Sequence, residues 1–150
     1  MNINELKNHI SEKSRLIGLD MGKKRIGVSI SDDKRKIATP LETIYFQNIT
    51  ILTKKIKEII VDYSIEAAVY GDPINMDGSI GSSSQSVKDR IAILSNNIKI
   101  PFIPWDERLS TVAAFNISRQ LNTNVSKRVK NIDKNAAAFI LQGALDYLQN

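Results

Sequence analysis

A chain of 150 residues can bury roughly 70% of its unfolded surface in one core, so residues 1–150 read as a single domain with residues 1–14 as an N-terminal extension. It has no cysteine and one histidine, His9, which excludes zinc fingers, disulfides, thiol catalysis and His-Asp-Ser triads and leaves only oxygen ligands for a metal. The formal charge of +5 favours a polyanionic partner, because each phosphate neutralised by Lys or Arg releases condensed counterions.

Met1 to Ser14 is polar and carries both signs of charge. It lacks the apolar run of a signal peptide or membrane span, so the expected location is the cytoplasm, with no membrane partner. Residues 15–20 and 24–31 predict two strands around a tight turn. Residues 36–45 predict a third, which Pro40 assigns to a sheet edge or a bulge. Three strands in sequence predict an antiparallel meander. Ile49, Leu52, Ile56, Ile59, Ile60 and Tyr63 recur at helical spacing, with Asn48 as N-cap and Lys54, Lys55 and Lys57 on the outer side.

Ala67-Ala68-Val69-Tyr70 before Gly71 predicts a short buried strand, and residues 98–104 predict another. Between them lie a loop at 71–81 and a helix over 82–95, opened by the capping-box pair Ser82 and Gln85, with Val87, Ile91 and Leu94 inward. Leu109, Ala113, Ile117 and Leu121 mark a further helix. The chain ends in an apolar one through Ala136, Ala137, Phe139, Ile140, Leu141, Ala144 and Leu148. Strand and helix alternate after the meander, which implies parallel crossovers in an α/β fold with helices on both faces.

Acids occur at three informative places: Asp20 after the run Leu16-Ile17-Gly18-Leu19, the pair Asp106-Glu107, and Asp133 at the start of the last helix. In α/β sheets ligands gather at strand ends and helix N-termini, so the three can converge. Convergent carboxylates without His or Cys suit magnesium or manganese. Two such ions roughly 4 Å apart can clamp the attacking and leaving oxygens of a phosphodiester displacement. Taken singly, each acid also has an ordinary role: Asp20 shaping its turn, Asp106 and Glu107 opening a helix, Asp133 capping one.

Cations flank all three places: Lys23, Lys24 and Arg25 after Asp20, Arg108 after Glu107, and Lys127, Arg128 and Lys130 before Asp133. Lys34-Arg35-Lys36 and Lys54-Lys55-Lys57 read instead as solvated faces. Trp105 reads as a core residue, with stacking on a base as the alternative. The turn-rich loop from Gly71 to Gly78 brings Asp72 and Asn75 to a strand end. Gly22 and Gly27 have the spacing of a phosphate loop, but Val28 stands where the lysine is required.

Four segments in order carry a resemblance. Ile17-Gly18-Leu19-Asp20-Met21-Gly22-Lys23-Lys24-Arg25-Ile26-Gly27-Val28, Pro73-Ile74-Asn75-Met76-Asp77-Gly78-Ser79, Asp106-Glu107-Arg108-Leu109-Ser110-Thr111 and Ile132-Asp133-Lys134-Asn135-Ala136-Ala137-Ala138 resemble the YqgF family. This is the family of Holliday-junction-resolvase-like proteins regarded as pre-16S rRNA nucleases.

The resemblance implies a ribonuclease-H-like, three-layer fold with a mixed five-stranded sheet. It also implies metal-binding, catalytic roles for Asp20, Glu107 and Asp133, with Asp106 and Arg108 supporting. Asp72 stands where the family has Leu, which adds an acid near the expected site, and Ile80-Gly81-Ser82 stands where it has Glu-Gly-Pro, which bears on how that loop meets substrate; Asp72 and Asp106 are additional metal ligands to test. The leading expectation is a nuclease dependent on Mg2+ or Mn2+ that acts on structured RNA in ribosomal RNA maturation, with ribosomal particles as a further partner. Lys23, Lys24, Arg25, Asn75, Arg108, Lys127, Arg128 and Lys130 would hold nucleic acid. Cleavage of branched DNA, and RNA binding without catalysis, are the rival expectations.

Overall fold

The structure, a computed structural model, describes residues 1–72, 82–106 and 132–149; for residues 82–84 and 132–134 it describes the backbone alone. The two apolar runs around the first turn form the middle of the sheet. β1 (Arg15–Met21) pairs antiparallel with β2 (Arg25–Ser31), and β3 (Ala38–Tyr45) pairs antiparallel with β2, which makes the expected meander. β4 (Ile65–Asp72) and β5 (Phe102–Asp106) extend the sheet on the other side of β1, each parallel to its neighbour, in the order β3-β2-β1-β4-β5.

β1 and β2 are buried on both faces, which is why their sequences run apolar instead of alternating. β3 is an edge strand, and its register with β2 shifts between Val28 and Ser29, the latter opposite Pro40. Pro40 therefore sits at both an edge and a bulge, where its missing N–H costs no ladder bond.

Helices cover the two faces. α1 (Ile3–Leu6), α2 (Ile49–Tyr63), α3 (Ser82–Asn97) and α4 (Ile132–Gln149) are the described ones. Leu52, Ile56 and Ile59 of α2 and Val87, Ile91 and Leu94 of α3 share one core with Ile17, Leu19 and Met21 of β1. On the opposite face Ile140, Leu141, Ala144 and Leu145 of α4, with Leu6 of α1, pack on Leu16, Ala67, Val69, Ile103 and Trp105. Trp105 is 2% exposed and meets Tyr147 edge-on, with ring centroids 5.7 Å apart, so it fills the core. Asn48 caps α2 as expected, accepting from the Ile51 N–H at 2.9 Å. Ser64 closes that helix in the left-handed region at φ 53.

The structure differs from the expected boundaries in informative ways. β4 runs to Asp72, and β5 starts at Phe102 instead of residue 98. Ile98 immediately follows α3, its N–H donating to the Leu94 carbonyl at 2.9 Å, and the chain enters the sheet where the Pro101 carbonyl accepts from the Ala68 N–H. Asp72 and Asp106 are thus strand residues with defined faces. The expected helix around Leu109 to Leu121 and the loop from Pro73 to Gly81 lie outside the described residues, as does the Ser82 side chain of the capping box. The Gln85 amide donates forward to Asp89 at 2.9 Å.

Lys54, Lys55 and Lys57 are solvated as expected, but Arg35 is not merely a surface charge. Its backbone is left-handed at φ 55, and its guanidinium donates to the Ser11 carbonyl at 2.8 Å and the Ser14 hydroxyl at 2.7 Å. The Ser11 N–H and hydroxyl in turn donate to the Glu66 carboxylate. Burial pushes that carboxyl up, but hydrogen bonds from the Ser11 and Ser14 hydroxyls and the Ser11 N–H outweigh it and hold Glu66 below its ordinary value. Residues 1–14 are therefore fastened to the sheet through side chains as well as through Leu6.

Asp32 fixes the turn between β2 and β3. Its Oδ1 accepts from the Lys36 N–H at 2.7 Å and the Ile37 N–H at 3.0 Å. The Ile37 bond is the main cause that holds this carboxyl below its ordinary 3.8, against an opposing push from burial. A depressed folded-state pKa stabilises the fold above the unfolded value, and that contribution disappears as pH falls through the folded value. Denaturant unfolding of Asp32→Asn is expected to show a stability deficit at neutral pH that narrows below pH 3.8. A deficit that widened with acid would contradict this role.

Candidate functional site

Strand period two decides which acids face one another. Ile17, Leu19 and Met21 of β1 enter the α2/α3 core, whereas Leu16 belongs to the α4 core and Gly18 touches α4. Asp20 follows them on the α4 side, half-buried, opposite Gly27 of β2. Its carbonyl accepts from the Gly22 N–H at 3.1 Å, so the residue also shapes the turn.

A close approach of α4 to the sheet is built from two small residues. A Cβ on Gly18 would clash with the Ser29 hydroxyl, lie 2.7 Å from the Leu141 Cβ and lie 2.9 Å from the Ala137 carbonyl oxygen. The Ser29 hydroxyl donates to that same carbonyl at 2.8 Å. Gly18 lies against Ala137 and Leu141, while Leu16 shares its cluster with Ala144 and Leu145. The helix therefore runs opposite to β1, about four helical residues (a rise of roughly 6 Å) for every two strand residues (roughly 6.6 Å). One further step of this progression brings the backbone near Asp133, the second residue of α4, level with Asp20 on the same face.

Asp72 and Asp106 are register partners at the ends of β4 and β5. They alternate with Gly71 and with the core residue Trp105, so they lie on the α2/α3 side of the sheet, not on the side of Asp20. Burial, then the Asp72 carboxylate, pushes the neighbouring Tyr70 hydroxyl up from its ordinary value, as expected for two side chains on one face. Among the described residues no three acids gather closely enough to hold a metal ion. Asp72 and Asp106 are thus not brought together with Asp20. Glu107, Asn75, Arg108, Lys127, Arg128, Lys130 and the Asp133 side chain lie outside the described residues.

Lys23 and Lys24 are exposed on the β1–β2 turn, and Arg25 is exposed at the first position of β2. That turn is braced by a residue sequence reasoning missed. Arg90 of α3 donates to the Gly22 carbonyl at 2.8 Å and the Lys23 carbonyl at 3.1 Å, and its guanidinium stacks 3.9 Å from the Phe46 ring centroid. Phe46 closes the arrangement, its N–H donating to the Lys24 carbonyl at 2.8 Å. Gly22 is required here, because a Cβ would collide with the Arg25 carbonyl. The overlooked signal was the position of Arg90 on the inward stripe Val87, Ile91, Leu94, where a cation needs a partner.

Arg90→Ala is expected to cost roughly 1–3 kcal/mol, the usual range for hydrogen bonds from a charged donor, with Arg90→Lys recovering part of it. A thermal melt unchanged in both variants would contradict the brace.

Comparison with known proteins bears on the family and the fold. A family model described as "RuvX: Holliday junction resolvase" matches residues 14–147. A Pelagibacter ubique protein named "Putative pre-16S rRNA nuclease" is 55% identical over 148 residues, which cover 99% of this chain and 98% of the relative. A Beijerinckia indica protein of the same name is 44% identical over 144 residues, covering 96% and 87%. Among solved structures, T. thermophilus RuvC in complex with a Holliday junction substrate superposes with a TM-score of 0.60 at 11% identity, covering 91% of this chain and 96% of that one. At that identity the likeness speaks for the fold alone, which is the ribonuclease-H-like mixed sheet. The motifs, the sheet order and the matched length together place this chain in the RuvX family of Holliday junction resolvase-like proteins.

Proposed function

We propose that this protein is a metal-dependent nuclease that hydrolyses phosphodiester bonds in structured RNA, acting in the cytoplasm on the 5′ end of pre-16S rRNA during ribosome maturation. The observation that supports this reading is the docking of α4 on Gly18 and Ser29, from which the helix, followed back toward its start, heads for the end of β1 that carries Asp20. The names of the relatives support the choice of substrate. No helix among the described residues is long and apolar enough to cross a membrane.

Asp20, Glu107 and Asp133 are the residues that would hold Mg2+ or Mn2+. An all-carboxylate donor set fits a hard, oxygen-seeking ion, and a chain without cysteine offers no thiolate to a softer one. When bound, such an ion supplies a more acidic water and neutralises charge that develops on the phosphoryl oxygens. The rest falls to the protein. Gly18 and Ser29 set the height of α4 over β1. Arg90 and Gly22 hold the turn from which Lys23, Lys24 and Arg25 reach substrate phosphates, and Asn75, Arg108, Lys127, Arg128 and Lys130 contribute further contacts.

A second reading, cleavage of branched DNA at the same carboxylates, is favoured by the description of the family. The two separate when a precursor of 16S rRNA and a four-way DNA junction are offered side by side in magnesium at matched salt, since salt alone can change such affinities greatly. Cleavage of the precursor with the junction left intact is the expected result. The reverse preference would overturn the RNA reading and retain the nuclease.

A further inference from the structure

Tyr45 is 69% exposed at the last position of β3. Its neighbour Phe46 packs against the α2/α3 core and under Arg90, and its other neighbour Ile44 is buried in that core. Tyr45 itself therefore stands on the opposite face, the one that carries Asp20. Across the strand it pairs in register with Arg25, which is also exposed. The next row inward on that face runs Asp20, Gly27, Thr43. Tyr45 thus lies two strands across and one row beyond Asp20, about 12 Å away by ordinary sheet spacings. The floor between them includes a residue without a side chain, Gly27.

An aromatic ring left in water beside a guanidinium, with Lys23 and Lys24 on the adjoining turn, has the composition of a single-strand binding platform. Bases stack on the ring whatever their identity, and the cations neutralise the phosphates between them. We infer that Tyr45, with Arg25 beside it, forms a subsite that stacks an unpaired base a few nucleotides from the phosphate held at Asp20. The inference rests on the nuclease reading and adds to it: the preferred substrate carries a single-stranded flank at the cleavage site, not continuous duplex.

The test needs no catalysis. The full chain is titrated, in EDTA, into a single-stranded oligoribonucleotide that carries a fluorescent base analogue quenched by stacking. Wild type is expected to bind and quench. Tyr45→Ala is expected to lose the quench and bind about five-fold more weakly or worse, the usual scale of one stacked base, while Tyr45→Phe keeps both. Arg25→Ala is expected to lower the salt slope of binding by about one, which Tyr45→Ala leaves unchanged.

If wild type binds but Tyr45→Ala binds and quenches as well, the subsite is overturned and the nuclease reading stands. If wild type neither binds nor cleaves any polynucleotide, both fall. A third outcome, Tyr45→Ala dissociating a dimer in sedimentation with the quench intact, would make this face a contact between copies and also overturn the subsite.

Discussion

Asp20→Asn abolishes cleavage and leaves the fold in place: that is the largest effect the proposed site predicts. A bound ion contributes several kcal/mol of charge stabilisation, and each 1.36 kcal/mol is tenfold in rate, so the loss is expected to be roughly 10³-fold or more. Asparagine keeps the volume of the side chain and the backbone bond from Gly22 to the residue 20 carbonyl. Stability is expected to hold or rise, because the proposed convergence of Asp20 with Glu107 and Asp133 would place like charges together, and asparagine relieves that repulsion. The measurement is magnesium-dependent cleavage beside a thermal melt and a metal-free RNA titration. Undiminished cleavage by the variant would remove Asp20 from the chemistry, whereas loss of cleavage together with loss of the fold would assign it a structural role.

The second large effect is expected at Gly18. Alanine there introduces a methyl group into space shared by the Ser29 hydroxyl, the Leu141 Cβ and the Ala137 carbonyl, all three within 3 Å. Side chains can adjust, but the carbonyl belongs to helix backbone, so α4 must lift. Overpacking of this kind costs about 1–3 kcal/mol and sometimes more, a drop in Tm of roughly 2–12 °C for a chain of this length. An effect on rate of comparable size is expected, because α4 is proposed to begin beside Asp20. A shift of about 1 Å at reacting groups can cost roughly 10²-fold.

Cleavage measured well below the Tm of Gly18→Ala is therefore expected to fall mainly in kcat. Adding Ser29→Ala removes the atom nearest the new methyl and is expected to recover part of both losses. Independent, additive effects of the two substitutions would mean that they do not meet at the helix.

Much of the fold was legible in the chain. Residues 15–20 and 24–31 read as two strands around a tight turn, and Pro40 announced an edge or a bulge. Asn48 announced the start of α2, and the inward stripes of α2 and α3 gave one core correctly. What stayed hidden depends on partners far apart in sequence. Arg90 reaches the Gly22 carbonyl 68 positions away, and Ser29 reaches Ala137 across 108; neither contact has a local signature. Arg35 looked like one cation in a solvated run until its guanidinium met Ser11 and Ser14.

The faces of Asp72 and Asp106 were hidden for another reason. A strand turns its side chains over at every residue, so an acid read in a loop, as Asp72 was, or at the start of a helix, as Asp106 was, has no assigned face. Once β4 and β5 extend through them, they are committed to the side away from Asp20. The triad implied by the resemblance is legible as motifs, and the structure adds a contact the motifs do not announce: Gly18 and Ser29 of the sheet meet α4 at Ala137, four residues after Asp133.

That shared site is the central claim, and anomalous diffraction from a manganese-soaked crystal tests it most directly. The account predicts a manganese peak coordinated by the carboxylates of Asp20, Glu107 and Asp133 on the α4 face of the sheet, at about 2.1–2.2 Å from their oxygens. A peak held instead by Asp72 and Asp106 on the opposite face, with Asp20 uninvolved, would contradict it.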